Sequence, residues 1–471
     1  MEVKAMERRW LSLAALCAGT LMIILDQTVV NVALPAIAGD LGFTASGLAW
    51  VINAYLIPFG GLLLLAGRLG DLLGRKRVFL AGLAVFTVAS LLCGLAWSPE
   101  VLLVARFVQG VGGAVSSAVI LGMIVTLFPA ARDRAKALGV YSFVQASGGS
   151  IGSLAGGVLT QSASWHWIFL INLPIGVATF LAAVRFLDDE SGSGKGADSG
   201  SAVLVTAALM LGVYTIVEVE SHGWGSTHTL GFGAVSVALL IAFVVRQART
   251  PNPLLPLRIL TSRSVAGANV VQVLLIAAMF GFQFLVVLYL QRVLGYDSLQ
   301  AGLSMLPVAV AIGAVSLGLS ARLNTRFGAR RVLVAGLGLL LAGMVLLSRA
   351  PIDAGFVLDV LPAMLALGIG FGTAMPALMV LAMSDATPED SGLTSGLVNT
   401  TAQVGGALGL SVLAVLAATR TAAAEQPTRE ALLSGYHLGF TVGAALVAAA
   451  LVTALVWWHP SRLTSSQLEV R

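Results

Sequence analysis

A single carboxylate stands inside a long apolar stretch near the start of the chain. Asp26 lies in the segment IILDQTVVNVALP, residues 23–35. A charged carboxylate at the centre of a membrane-spanning helix costs roughly 2.5–3.5 kcal/mol on insertion scales, so such a group faces the protein interior or water. Asp26 is therefore predicted to bind a proton or a cation, with Gln27 and Asn31 as polar neighbours. The alternative is a purely structural acid that is hydrogen-bonded by these neighbours.

A single basic residue also falls inside an apolar segment. Arg106 stands one to two turns into the fourth such segment, and Gln109 follows it one turn later on the same helix face. A guanidinium does not lose its proton in proteins. Arg106 is therefore predicted to pair with a carboxylate or to tune a neighbouring acid, not to carry the proton itself. The alternative is a side chain that extends to the membrane interface without a chemical role.

The segment GRLGDLLGRKR, residues 67–77, predicts a tight turn with a charged contact. Its glycines permit the turn, and its acid can cap a helix or accept hydrogen bonds from a nearby arginine. The alternative is a pure topology signal, because basic residues are retained in the cytoplasm. The residues predicted to form this gating loop are Gly67, Asp71, Gly74, Arg75 and Arg77.

A cluster of glycines in the fifth apolar segment predicts close helix packing. Small residues let helix backbones approach one another, which suits packing across two halves of the molecule. The glycines concerned are Gly148, Gly149, Gly152, Gly156 and Gly157. The stretch GGSIG, residues 148–152, also matches the G-x-S-x-G pattern of a hydrolase, but that elbow needs a strand-to-helix turn and this one lies in a helical run. An enzyme is therefore not predicted.

The amino-acid composition indicates that membrane-spanning segments position the residues discussed above. Of the 471 residues, 58% are hydrophobic and 10% are charged, whereas soluble domains carry roughly 25% charged residues. Most of the surface must therefore face lipid. The net charge of +5 is explained by topology rather than by nucleic-acid binding. The two cysteines suggest neither a disulfide framework nor a metal site, and no cofactor is predicted.

The apolar runs predict an all-α polytopic membrane protein with 14 spans. They fall at about 11–35, 48–67, 78–97, 101–128, 137–160, 166–187, 201–219, 229–246, 265–291, 300–321, 332–349, 356–382, 393–418 and 435–458. With the N-terminus inside, 22 of the 27 Lys and Arg residues fall in cytoplasmic segments. Since basic residues mark the cytoplasmic side, both termini are predicted to be cytoplasmic, in the plasma membrane.

The chain also repeats itself. AGRLGDLLGRKRVFLAG, residues 66–82, matches SARLNTRFGARRVLVAG, residues 320–336, and each copy follows the second span of its half. Two six-helix bundles with two additional central helices are therefore predicted. The predicted units are 1–187, 188–263 with a Gly/Ser-rich linker, and 264–471 with a short cytoplasmic tail. Such halves enclose a substrate path near the bilayer midplane.

Five segments carry a resemblance to a known family. In chain order they are LDQTVVNVALP (25–35), GRLGDLLGRKR (67–77), RFVQGVGG (106–113), GGSIGSLAGG (148–157) and WHWIFLINLPIG (165–176). Together they resemble the 14-helix drug:proton antiporter branch of the major facilitator superfamily. Two departures stand out. Ser153 occupies a position where the family usually has proline, and Thr325 replaces the acid of the gating loop in the second copy.

The resemblance implies a function. It implies that Asp26 and Arg106 take part in proton coupling, that the 67–77 loop latches the outward-facing state, and that the helix-five glycines mark an antiporter. The expected activity is proton-coupled export of amphipathic drugs or antibiotics by a monomer. An exporter of lipids or metabolites, a proton-coupled importer and, more remotely, an intramembrane enzyme or receptor remain open alternatives.

Overall fold

The computed structural model describes most of the chain, namely residues 2–44, 47–188, 198–250, 253, 262–383, 391–424 and 428–458. In this part of the chain the regular structure is helical, without a strand. Ten of the described helices are long and apolar enough to cross a membrane, and three shorter apolar helices accompany them. The predicted all-α membrane class is confirmed, whereas the number of crossings stays a prediction.

The helices run in an order that follows the predicted apolar segments. The N-terminal half contains α1 (Glu2–Leu41), α2 (Gly47–Leu73), α3 (Arg75–Gly94), α4 (Pro99–Leu127), α5 (Ala131–Ser162), α6 (Trp167–Leu170) and α7 (Asn172–Phe186). The central part contains α8 (Ser199–Val217), α9 (Val219–His222) and α10 (Thr227–Arg249). The C-terminal half contains α11 (Arg263–Leu288), α12 (Ser298–Ala314), α13 (Ser320–Phe327), α14 (Ala329–Leu347), α15 (Leu361–Ala382), α16 (Ser391–Ala422) and α17 (Arg429–Trp457), with π-helical turns at Tyr289–Val293, Val315–Leu319 and Phe356–Val360.

Several helices begin at residues that suit an N-cap. The Asp297 carboxylate accepts a hydrogen bond from the Gln300 backbone N–H at 2.7 Å, and the Gln300 side chain accepts one from the Asp297 N–H at 3.1 Å. This reciprocal arrangement satisfies two backbone donors that the helix leaves free. Ser98 and Thr428 cap α4 and α17 in the simpler way, through their hydroxyls.

The sequence repeat is also a structural repeat. Gly74, between α2 and α3, and Gly328, between α13 and α14, both have positive φ, at 95° and 83°. Glycine adopts this conformation at no steric cost. A Cβ added at Gly82 or at Gly336 would lie 2.8 Å from a glycine carbonyl oxygen of the neighbouring helix, α4 or α15 respectively. The same turn and the same close helix contact therefore recur in both halves.

The most extensive contacts between the two halves are those of α2 with α16 and of α5 with α12. In the first pair, the Asn53 amide donates to the Ser411 hydroxyl at 2.9 Å, and both side chains are fully buried. In the second pair, a Cβ at Gly157 would lie 2.8 Å from the Ser298 carbonyl oxygen. Each contact joins the N-terminal half to the C-terminal half directly.

The inserted helix α8 borders both halves. It packs against α2 and α16, and the Thr206 hydroxyl donates to the Gly61 carbonyl oxygen of α2 at 2.8 Å. Helix α8 thus covers the side on which α2 and α16 meet. The domain boundaries stay a prediction. Residues 189–197 of the predicted linker and 459–471 of the predicted tail lie outside the described residues.

An ion pair ties α8 to α10. Asp198, the N-cap residue of α8, accepts hydrogen bonds from the Arg246 guanidinium, with Nη2 at 2.7 Å and Nε at 3.0 Å from Oδ1. The hydrogen bonds from Arg246 lower the pKa of Asp198 to about 2. The carboxylate therefore stays charged at neutral pH. The ion pair joins the start of α8 to the end of α10, so that the two helices form a hairpin.

Candidate functional site

Asp26 is completely buried near the middle of α1. A carboxylate without partners cannot remain charged in such surroundings, so its environment decides what it can do. The helix places it toward the protein interior, among residues of α3, α4 and α7. This location agrees with the prediction that an acid in a membrane span faces the interior.

Arg106 supplies the charge that faces Asp26. Its Nη1 lies 2.6 Å from Asp26 Oδ2, and the arginine side chain is 1% exposed. The same nitrogen donates to the Gln109 side-chain oxygen at 2.7 Å, and Nε donates to the Val51 carbonyl oxygen at 3.0 Å. The guanidinium is therefore held by α1, α2 and α4 together and does not extend to the membrane interface.

Two amide side chains complete the shell around the carboxylate. The Gln109 amide donates to Asp26 Oδ1 at 2.8 Å and to the Ser90 hydroxyl at 2.8 Å. The Asn172 amide donates to the same carboxylate oxygen at 3.0 Å. Both carboxylate oxygens thus accept hydrogen bonds, and three helices besides α1 contribute donors or orient them. Hydrogen bonds of this kind stabilise the ionised carboxylate.

Aromatic rings enclose the guanidinium. Its central carbon lies 4.5 Å from the ring centroid of Tyr55 and 5.6 Å from that of Phe169. A cation over an aromatic face is stabilised by the ring quadrupole, and more strongly when water is excluded. Tyr55 and Phe169 therefore help to hold the buried Arg106 guanidinium in place.

Sequence reasoning identified Asp26, Arg106 and Gln109, which the fold brings into contact, but it missed Ser90 and Asn172. Neither missed residue is ionisable, and uncharged polar residues are common in helices that cross a membrane. Asn172 lies in the 165–176 segment that carries part of the family resemblance, whereas Ser90 is marked only by its position in an apolar run.

A small cavity of about 40 Å³ lies beside the ion pair. Both halves line it. The N-terminal half contributes Gln27, Asn31 and Arg106, and the C-terminal half contributes Phe280 and Gln283. The cavity has room for only a few water molecules, which is too little for a drug-sized substrate in this conformation. Gln27 and Asn31 line this cavity. Their described hydrogen bonds go to Tyr55 and to the Gln27 carbonyl oxygen, whereas the alternative of a purely structural acid assumed bonds to Asp26.

Asp26 itself is not part of the cavity wall. All the close polar partners of its carboxylate are protein side chains, and Arg106 lies between it and the cavity. In this conformation a cation in the cavity would therefore meet the Arg106 guanidinium and not the Asp26 carboxylate. Any influence of Asp26 on a substrate has to pass through the charge of Arg106.

The gating loop differs in part from its prediction. Gly74 forms the predicted turn, but Gly67 lies within α2. Arg75 reaches α4, where its Nη1 donates to the Gly122 carbonyl oxygen at 3.3 Å and to the Thr126 hydroxyl at 2.9 Å. A cation near the end of a helix stabilises its carbonyl groups. The side chain of Asp71 falls outside the described residues, and Arg77 is exposed.

The helix-five glycines mostly face α1 and not the other half. Side-chain atoms added at Gly148, Gly152 or Gly156 would collide with residues of α1, whereas Gly157 alone faces α12 and Gly149 faces open space. The first three are spaced four residues apart and form one face of α5. The predicted packing across the halves is therefore wrong for these three. Their role is to let α5 approach the helix that carries Asp26.

Comparisons with known proteins show the family to which the chain belongs. The family model of the Major Facilitator Superfamily matches residues 16–410, which is most of the chain. The chain belongs to this superfamily. It is a transporter, not an enzyme, and the G-x-S-x-G match in α5 has no catalytic meaning.

Relatives within the superfamily are similar along most of their length. A puromycin resistance protein of Streptomyces alboniger is 37% identical over 459 residues, which cover 96% of this chain and 91% of the relative. A cephamycin export protein of Amycolatopsis lactamdurans is 37% identical over 414 residues, 87% of this chain and 85% of the relative. A tetracenomycin C resistance and export protein of Streptomyces glaucescens is 34% identical and covers 88% and 77%.

Solved structures agree with the fold. The nucleoside transporter NupG has a TM-score of 0.68 at 12% identity and covers 95% of this chain and 100% of its own. A bacterial homologue of the human lysosomal transporter Spinster, in an inward-facing and unoccupied conformation, has a TM-score of 0.67 at 16% identity, with 96% and 99% covered. At such low identity the likeness concerns the major facilitator fold alone.

Proposed function

We propose that the protein is a proton-coupled secondary transporter that exports amphipathic drugs or antibiotics across the plasma membrane. The observation that supports this most directly is the buried pair of Asp26 and Arg106, placed beside the cavity between the two halves. Relatives named for antibiotic resistance and export support the substrate class. The activity is proposed for a monomer, since each chain contains both halves of the path.

Protonation of Asp26 is the proposed coupling event. With Asp26 ionised, the pair holds α1 against α4. A proton on Asp26 removes the anion and leaves the Arg106 guanidinium buried without a counter-charge. Loss of one partner of a buried ion pair costs about 3–5 kcal/mol, which is enough to shift a balance between two conformations by a large factor. Movement of Arg106 toward the cavity relieves this cost.

The same event changes the charge that a substrate meets. The pair is neutral when Asp26 is ionised and carries one positive charge when Asp26 is protonated. A cationic substrate in the cavity is therefore tolerated in the first state and repelled in the second. Proton uptake from outside would expel the substrate there, and proton release to the cytoplasm would admit the next one. This exchange is antiport without direct contact between substrate and carboxylate.

A preference for substrate charge follows from this arrangement. Among the residues that line the cavity none is acidic, and Asp26 is already paired. A second positive charge on a substrate would therefore lose its hydration without gaining a counter-charge, which is costly. The expected substrates are neutral or singly charged amphipaths, in preference to dications.

Efflux of two matched dyes tests the proposal. In proteoliposomes with an imposed pH gradient, the monocation ethidium is expected to be moved at least tenfold faster than the dication propidium, which has the same ring system. Dye should move against the proton gradient, which separates export from import. A transport rate that does not depend on the pH gradient would contradict proton coupling. Equal transport rates for the two dyes would contradict the proposed preference for singly charged substrates.

We also propose that all 14 predicted spans cross the membrane, with both termini in the cytoplasm. Helix α10 is long and apolar enough to cross, and α8 contains a shorter apolar segment. Their hairpin is closed at one end by Asp198 and Arg246. In this orientation the turn between α8 and α10 is extracellular.

Labelling of introduced cysteines tests the orientation. Cysteine in place of Ser226, at the start of α10, is expected to react with a membrane-impermeant maleimide from outside intact cells. Cysteine in place of Thr250, at the other end of α10, should react only after permeabilisation. The native Cys17 and Cys93 are buried and give little background. The reverse pattern would invert the topology, and equal labelling of both sites would exclude a crossing by α10.

A further inference from the structure

A second and larger cavity lies in the C-terminal half, away from the ion pair. Its volume is about 240 Å³, compared with about 40 Å³ for the cavity between the halves. It lies between the end of α11, the end of α16 and the start of α17. Most of its walls are apolar, formed by Phe284, Leu285, Leu288, Ala414, Ala417 and Leu432.

One end of this cavity is cationic. Arg292, in the π-helical turn after α11, forms part of the wall, and its guanidinium lies beside the buried hydroxyl of Tyr436. Within the described part of the chain, no carboxylate pairs with Arg292. An arginine in an apolar pocket without an acidic partner leaves several hydrogen-bond donors available for an anion.

Two further arginines stand at the same end. Arg420, at the end of α16, donates from Nε to the Ser434 hydroxyl of α17 at 3.0 Å. Arg429, at the start of α17, donates to the carbonyl oxygen of Val293, the residue next to Arg292. Arg292 lines the cavity, whereas Arg420 and Arg429 belong to the helices that form it and stand outside its described wall.

Their position is unusual for a membrane protein. In the proposed orientation only four basic residues fall in extracellular segments, namely Arg292, Arg349, Arg420 and Arg429. Basic residues are normally kept on the cytoplasmic side. Arg292 is one of these four and lines an apolar cavity, which the topology alone does not explain.

We propose that this cavity binds an anionic phospholipid of the outer leaflet, with its phosphate at Arg292 and part of an acyl chain between α11, α16 and α17. Arginine matches phosphate geometry with paired hydrogen bonds, and the apolar walls match a hydrocarbon chain. An exported cation is a poor occupant, because Arg292 would repel it. The proposal goes beyond the transport function and does not depend on proton coupling.

Lipid binding by purified protein tests the proposal. In nanodiscs of phosphatidylcholine with a small fraction of spin-labelled lipid, wild type is expected to hold phosphatidylglycerol at least fivefold more strongly than phosphatidylcholine. Arg292→Gln should reduce this preference to below twofold. Arg349→Gln removes an outer arginine that does not line the cavity and should leave the preference unchanged. Arg292→Lys keeps the charge and should retain part of the preference.

A cavity-filling change separates the acyl chain from the headgroup. Ala418 lines the cavity and is only half-buried, so Ala418→Phe can fill it with little disturbance. This variant should also lose the preference, while free inorganic phosphate should not displace the lipid. If Ala418→Phe keeps the preference for phosphatidylglycerol, or if inorganic phosphate displaces the lipid, the site binds a headgroup or phosphate without a lipid chain. Either result would overturn the proposal. Equal losses in the Arg292 and Arg349 variants would also overturn it. Thermal unfolding confirms that each variant is folded.

Discussion

At matched protein level, Asp26→Asn is expected to lower the rate of efflux driven by a pH gradient at least 100-fold. Asparagine keeps an oxygen that can accept hydrogen bonds from Gln109 and Asn172. It cannot take up or release a proton, so the charge next to Arg106 no longer changes during the cycle. The measurement is the initial rate of dye movement in proteoliposomes with and without a pH gradient.

A second acid on the same helix provides the matched control. Asp40 lies near the end of α1 and accepts a hydrogen bond from the Trp165 indole at 2.8 Å. Asp40→Asn keeps an acceptor for that bond, so efflux should stay within twofold of wild type. Undiminished coupled efflux by Asp26→Asn would remove this residue from the mechanism.

Folding has to be separated from coupling, because Asp26→Asn leaves Arg106 buried without its anion. A double change, Asp26→Asn with Arg106→Gln, removes both charges and avoids an unpaired one. The double variant should unfold at a higher temperature than Asp26→Asn alone, yet it should remain uncoupled. Recovery of coupled efflux in the double variant would show that only stability was lost.

Arg106→Lys is expected to reduce coupled efflux at least tenfold although the charge is kept. The guanidinium bonds to Asp26, Gln109 and the Val51 carbonyl at the same time and stacks near Tyr55. A lysine presents one compact ammonium group and cannot reproduce a planar fork. The rate under a pH gradient and the dye affinity are measured separately, since a loss of coupling lowers the first more than the second.

The control for this change is Arg185→Lys, at the exposed end of α7. Arg185 is exposed and lies 5.9 Å from the Phe186 ring centroid, a contact that a lysine can also make, so efflux should be nearly unchanged. Wild-type coupling in Arg106→Lys would mean that a positive charge alone is sufficient and that the hydrogen-bond geometry around Arg106 is not needed.

Much of this architecture could be predicted because the chain is so apolar. In a membrane span a polar residue is costly, so Asp26 and Arg106 stand out as isolated exceptions. The internal repeat could also be recognised from the sequence, because both copies keep a glycine at the same turn. Gly74 and Gly328 have positive φ there, which glycine adopts without strain. The glycine stripe of α5 was recognised, but the face to which it points was not.

The sequence by itself therefore determined the class of protein, its superfamily and the ionisable residues of the site. Only the tertiary structure decided that Asp26 and Arg106, 80 residues apart, form one buried pair, and that Asn172 and Ser90 complete it. It also decided that Gln27 and Asn31 face the cavity and not the carboxylate. The physical reason is that hydropathy shows which residues are inside a span, whereas the rotation of each helix about its axis, set by packing against its neighbours, determines which side chains meet.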